Sequence, residues 1–128
     1  MKKILSNLLI IIIILNSLLI IFLKIVKKEE PSSPFGISLF QISSNSMAPT
    51  FYKDDFIIIK KEEDYNIGEI ITYKINNNCL VTHRIIEKYK NVFITKGDAN
   101  NIKDEEEIPR EAVVGKVVYI INIYRDRM

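Results

Sequence analysis

Twenty consecutive residues, Ile4 to Leu23, carry no charge, and no other feature limits the architecture of this chain as much. At 1.5 Å per residue a helix of that length spans about 30 Å, the hydrocarbon thickness of a bilayer. The run therefore reads as a membrane-spanning anchor. The rival reading is a cleaved leader, but an apolar leader core is shorter, about 7 to 15 residues, and no A-x-A-like cleavage site follows here. Lys2 and Lys3 precede the run, and Lys24, Lys27 and Lys28 follow it. With lysines at both ends, the positive-inside rule assigns no orientation.

About a hundred residues remain, enough for one small domain. The expected organisation is an anchor over 1–28, a short polar linker over 29–36, within "KKEEPSSPFG", and a β domain over 37–128. Apolar, β-branched and aromatic runs predict strands at Ile37 to Ile42, Phe56 to Lys60, Glu69 to Ile75, Leu80 to Lys88, Asn91 to Thr95 and Val113 to Ile123. Pro49, Gly68, Asn76-Asn77-Asn78 and Gly97 supply turn chemistry between them. No 3.6-residue period, no internal repeat and no second hydrophobic span follows the anchor. The expectation is a mostly β, antiparallel domain, folded as a compact sandwich or a barrel-like sheet. The run "KDEEEIPRE" reads as a solvated loop.

Charge and composition exclude several functions. Lys plus Arg number 18 against 16 Asp plus Glu, with no basic stripe, so nucleic acid is not an expected partner. Cys79 is the single cysteine and His83 the single histidine. No internal disulfide and no zinc site can be built from them, and no metal or other cofactor is expected.

The stretch "QISSNSMAPTF", Gln41 to Phe51, places four hydroxyl side chains behind the anchor. A serine hydroxyl attacks a carbonyl only when a base removes its proton, and the base works best when a third group orients it. His83, in "LVTHRII", is the one candidate base that titrates near neutrality. The segment "TKGDANNIKD" offers two carboxylates, Asp98 and Asp104, and residue chemistry does not choose between them. Taken singly, each group has a plain structural use: turn serine, packed histidine, turn aspartate, solvated charge.

Taken in order, "SNSMAPT", "YNIGEIITY", "THRII", "TKGDANNIKD" and "VVGKVV" behind an apolar anchor resemble the type I signal peptidases, membrane-anchored serine proteases that remove signal peptides from exported proteins. Histidine where many bacterial members carry lysine makes the chain similar to the endoplasmic-reticulum and archaeal type. The resemblance implies Ser46 as nucleophile, His83 as general base and then general acid, and Asp104 as the carboxylate that orients the base. It gives Ser44 and the backbone N–H of Ser46 the oxyanion hole, and Gly97 and Asp98 the support of the loop beneath. Asp98 is expected to cap its own turn, Arg84 to serve structure, and Ser43 has no assigned role.

Two positions depart from that pattern. Ala99 stands where asparagine is usual, and Lys53-Asp54-Asp55 stands where a glycine often precedes the aspartate. The implied substrates are signal-peptide-bearing precursors, bound as extended strands with small side chains before the cut. The implied setting is membrane lipid, with the domain on the extracytoplasmic side. The alternatives are a tethered β domain that binds a partner without catalysis, and a self-cleaving repressor-type protease. The intact Ser, His and Asp set counts against the first, and the histidine and anchor count against the second.

Overall fold

The computed structural model describes residues 1–26, 36–76 and 79–123. The chain divides into two compact units, Met1–Ser32 and Ser33–Met128. All of the expected linker except Gly36 lies outside the described residues, as do Asn77 and Asn78 of the asparagine turn.

The described part of the first unit is a helix, α1 (Lys2–Val26). It contains no proline or glycine, and from Lys2 to Phe22 it is long and apolar enough to cross a membrane. Its leucine and isoleucine side chains from Ile4 to Ile21 are exposed all round, an arrangement costly in water and suited to lipid. The hydroxyl of Ser17 donates to the Ile13 carbonyl at 2.9 Å, so one of the few polar groups in the run is satisfied within the helix.

The second unit contains seven strands among the described residues: β1 (Ile37–Gln41), β2 (Phe56–Lys60), β3 (Ile70–Ile75), β4 (Cys79–Tyr89), β5 (Val92–Lys96), β6 (Ile108–Pro109) and β7 (Val113–Ile121). They form one sheet in the order β1-β2-β7-β3-β4-β5-β6, with every adjacent pair antiparallel. Of the two expected forms, sandwich or barrel-like sheet, the strands thus take a single continuous sheet. Strand alternation supplies two cores. Ile71 and Tyr73 of β3 join Tyr65, Ile85, Phe93 and Ile108 in one cluster. Ile70, one residue earlier and so on the other face, joins Ile57, Ile59, Met47 and Phe51 in the second.

The acidic run is not wholly a solvated loop. Ile108 within it is 2% exposed and pairs with Phe93, while Pro109 pairs with Val92. Two residues are too few to show alternation, and a proline, having no N–H to donate, reads as non-strand except at a sheet edge, where β6 lies. β2 has its expected limits, and the other strands depart from theirs by a residue or two at the ends, where pairing gives way to turns.

Candidate active site

Between β1 and β2 the chain makes a tight excursion that carries Ser46. Met47 and Phe51, each 1% exposed, bury their side chains on either side of the turn and fix the loop to the second core. Backbone bonds from Thr50 N to Met47 O at 2.9 Å and from Ala48 N to Asn45 O at 3.1 Å tighten it. Lys53 N donates to Asn45 Oδ1 at 2.8 Å. Asp55, buried, closes the exit by accepting from Tyr52 N at 2.9 Å and from Ile123 N at 3.1 Å, beyond the end of β7. Asp54, at the position where glycine is often found, adopts φ 74°, the left-handed region that glycine enters without a Cβ penalty.

His83 lies on β4 directly opposite Ile71 and is 9% exposed. Its Nε2 is 3.2 Å from Ser46 Oγ, and its Nδ1 is 2.6 Å from Asp104 Oδ2. A carboxylate only accepts, so the ring proton belongs on Nδ1, and the lone pair of Nε2 faces the serine hydroxyl. Asp104 sits at the end of the loop leaving β5, held by its N–H to the Thr95 carbonyl at 2.8 Å. The structure therefore brings Ser46, His83 and Asp104 into one hydrogen-bonded chain across 37 and 21 residues of sequence separation.

Ser44 stands beside the serine at the head of that chain. Its hydroxyl donates to Ser46 Oγ at 3.2 Å, and Ser46 N is 3.5 Å from Ser44 Oγ. Ser43, exposed, lines the same cleft. That cleft, about 450 Å³, runs between Phe40, Gln41 and Ile42 on one side and Leu80, Val81 and Thr82 on the other, with Ser46 and His83 within it. Among the described residues, no group of three or more His, Cys, Asp or Glu side chains is disposed to hold a metal ion.

Asp98 does not join the imidazole, and it does not cap its own turn as expected. Its carboxylate takes Arg84 Nε at 2.9 Å on Oδ1 and Arg84 Nη2 at 2.7 Å on Oδ2, and Oδ2 also accepts from Thr50 Oγ1 at 2.5 Å. A two-pronged guanidinium outcompetes a local turn bond, and the turn is closed by backbone instead, Asn100 N to Gly97 O at 3.0 Å. Hydrogen bonds from Arg84, with Thr50 adding, hold the Asp98 carboxyl below the ordinary aspartate range. Arg84 also donates from Nη1 to the Gly68 carbonyl at 2.7 Å.

The loop after β5 touches the serine loop directly. Ala99 N donates to the Ser46 carbonyl at 2.9 Å, so the backbone at the position where asparagine is usual contacts the serine without needing that side chain. A Cβ on Gly97 would fall 2.6 Å from the Ser46 carbonyl oxygen and 2.6 Å from Asn100 Nδ2, which only glycine avoids. Thr50, Thr95 and Tyr73 are the supporting residues that sequence reading missed. On strands or in a turn, threonine and tyrosine look like ordinary formers of those structures, and nothing local marks them.

Residues 20–118 match the family described as Peptidase S24-like. Signal peptidase I W of Bacillus subtilis (strain 168) is 32% identical over 120 residues, covering 87% of this chain and 63% of that protein. The signal peptidase complex catalytic subunit sec11 of Dictyostelium discoideum is 29% identical over 89 residues, covering 59% and 50%. The catalytic subunit SEC11 of Plasmodium falciparum (isolate 3D7) is 30% identical over 69 residues, covering 49% and 38%. The chain thus spans less than two thirds of the length of each. Since the matched span runs from within α1 into β7 and so takes in the whole serine, histidine and aspartate cluster, the chain belongs to the Peptidase S24-like family.

Proposed function

We propose that this protein is a membrane-anchored serine endopeptidase of the signal-peptidase kind, which removes N-terminal signal peptides from exported proteins. The observation that carries this reading is the chain Ser46–His83–Asp104, with contacts of 3.2 and 2.6 Å, whose Ser46 and His83 line a cleft. Ser46 Oγ attacks the scissile carbonyl carbon while its proton passes to His83 Nε2. The carbonyl electrons move to oxygen, where the Ser46 N–H and the Ser44 hydroxyl receive the charge. Collapse expels the amine, which takes the proton from the imidazolium and leaves an ester on Ser46. Water, deprotonated by His83, then releases the acid and restores the serine. Asp104 holds the tautomer and stabilises the imidazolium throughout.

The sheet supports an extended substrate. β5 pairs with β4 only from Arg84 onward, and β3 covers the other edge of β4 from Cys79 to Arg84. Among the described residues, the backbone of Leu80–Thr82 therefore has one edge without a strand partner, and these residues line the cleft. Across it runs β1, paired in the sheet only with β2. A peptide strand entering between them would add main-chain hydrogen bonds to an existing edge, the economical way to hold many sequences in one register.

In this reading residues 1–28 anchor the protein, 29–36 connect, and 37–128 catalyse on the extracytoplasmic side. The anchor shares a bilayer with substrates whose signal peptides are themselves membrane-embedded, and so raises the effective concentration of each for the other. The names of the relatives, signal peptidase I and signal peptidase complex catalytic subunit, favour this substrate class, and the histidine beside Ser46 supports the Ser-His-Asp type. The test is direct: the full chain in detergent, incubated with signal-peptide-bearing precursors, yields mature termini, and Ser46→Ala yields none. Wild-type turnover by Ser46→Ala would refute the proposal.

A further inference from the structure

Asp104 accepts more than the imidazole. Its Oδ2, the oxygen that meets His83 Nδ1, also accepts from Thr95 Oγ1 at 2.7 Å. The Tyr73 hydroxyl lies 2.9 Å from Thr95 Oγ1 and 3.3 Å from the same Asp104 oxygen. Tyr73 comes from β3, His83 from β4 and Thr95 from β5, and strand alternation puts all three on one face. Tyr73 follows Ile71 by two residues, His83 is opposite Ile71, and Thr95 is opposite Ile85.

Neither Tyr73 nor Thr95 lines the cleft, so neither meets substrate. Their burial is nearly complete, 2% and 0% exposed, beside Ile71, Ile85 and Phe93 of the first core. Phenylalanine and valine would fit these strand positions without carrying a hydroxyl out of water, a transfer that is unfavourable unless the group is bonded. The bonds present converge on one carboxylate oxygen, and that oxygen is the one on which the imidazole depends.

We propose that Tyr73 and Thr95 are positioning residues, and that the hydroxyl chain Tyr73 to Thr95 to Asp104 holds the carboxylate in the rotamer that keeps His83 Nδ1 protonated and Nε2 turned to Ser46. The inference rests on the peptidase reading for its consequence in turnover, though not for its geometry. Thr95 grips Asp104 at two points, accepting its N–H at the backbone carbonyl and donating to its side chain. Asp104 can therefore part from Thr95 only by breaking both. Tyr73 ties this assembly to β3, the strand paired with the one that bears His83. Burial, with the Asp104 charge adding, pushes the Tyr73 phenol above the ordinary tyrosine range, so it remains a donor at any pH used for turnover. Because one hydroxyl bonds the next, removing either end disturbs both bonds, and the two losses should not add.

The test compares Thr95→Val, which keeps shape and loses the hydroxyl, with Thr95→Ser, which keeps the hydroxyl and loses a methyl. Full-length protein in detergent is assayed for kcat and KM, for thermal unfolding, and by proton NMR for the Nδ1–H of His83, unambiguous because the chain has one histidine. Thr95→Val is expected to melt several degrees below the wild type, having lost a buried hydrogen bond to a charged group, and to lower kcat per folded molecule about 10- to 100-fold. KM should hold, and the low-field Nδ1 proton should be lost to exchange. Thr95→Ser is also expected to melt lower than wild type while keeping both kcat and that resonance. Tyr73→Phe should lie between, and the double variant Tyr73→Phe/Thr95→Val should be no worse than Thr95→Val. Wild-type kcat and resonance in Thr95→Val, or equal losses in Thr95→Ser, would overturn the proposal. Should Thr95→Val not fold, Tyr73→Phe with an unchanged resonance overturns it equally. If the wild type cleaves no precursor, the peptidase reading falls, and the resonance alone decides the role of the hydroxyls.

Discussion

Arg84 grips Asp98 through two N–H···O bonds, Nε to Oδ1 at 2.9 Å and Nη2 to Oδ2 at 2.7 Å, one residue beyond the histidine that pairs with Asp104. Neighbouring positions on β4 point to opposite faces, and so His83 and Arg84 each select one of the two aspartates in the loop after β5.

That division predicts opposite phenotypes. Asp104→Asn should leave the melting temperature nearly unchanged, since an amide oxygen can still accept from Thr95. Its kcat should fall by about 10⁴, the cost of the corresponding amide in serine proteases. Asp98→Asn should lose about 1–2 kcal/mol, lowering the melting point by roughly 5–10 °C, while folded enzyme keeps most of its turnover. Kinetics and thermal unfolding of both variants check this, and reversed patterns would make Asp98 the partner of His83.

Acid should reveal the same pair in stability. The Asp98 carboxyl is held below its ordinary range by Arg84, with Thr50 adding, so the unfolded chain binds a proton there before the folded one does. The stabilisation is therefore complete above the unfolded value, about pH 4, and is lost as pH falls through the lower folded value. The gap in melting temperature between wild type and Asp98→Asn should be constant near neutrality and close below about pH 4. A gap that widens with acid would contradict the assignment.

Gly97→Ala should damage both fold and turnover. The new methyl would stand 2.6 Å from the Ser46 carbonyl oxygen, a backbone atom tied to Ala99 N, so the serine loop itself must move. Overpacking of this kind costs about 1–3 kcal/mol, and a displaced nucleophile costs up to about 10²-fold in rate. Measured kcat per folded molecule separates the two effects.

Asp54→Gly should do the reverse. At φ 74° a Cβ is strained by about 1 kcal/mol, an excess that outweighs the greater chain entropy of glycine in the unfolded state. The expected gain is about 0.5 kcal/mol, a rise of a few degrees in thermal unfolding, with kcat unchanged. A lower melting temperature than wild type would show that the turn is not strained.

Topology can be read without engineering. Cys79 is exposed and is the single cysteine. With the domain on the extracytoplasmic side, a membrane-impermeant maleimide should label it on intact cells. Labelling only after lysis would put the domain inside.

What the sequence determined by itself was whatever depends on neighbours in the chain. The uncharged run from Ile4 to Leu23 marks α1, since transfer to lipid depends on the composition of one segment. Phe56–Lys60 and five other runs mark strands, since alternation and turn residues are local. The serine and histidine boxes could be read by resemblance. Residue chemistry left open which carboxylate meets the imidazole, resemblance pointed to Asp104, and the tertiary structure is what brings Asp104 to His83 Nδ1. Asp98 and Asp104 lie six residues apart in one loop, and their partners, Arg84 and His83, are separated only by the face of β4 on which each side chain lies. It decided the uses of Thr50, Tyr73 and Thr95, whose hydroxyls find partners 48, 31 and 9 residues away, and it made an edge strand of Ile108–Pro109 through pairing with β5. These depend on contacts made after the sheet closes, and a hydroxyl's partner across a sheet leaves no mark on its own neighbours in the chain.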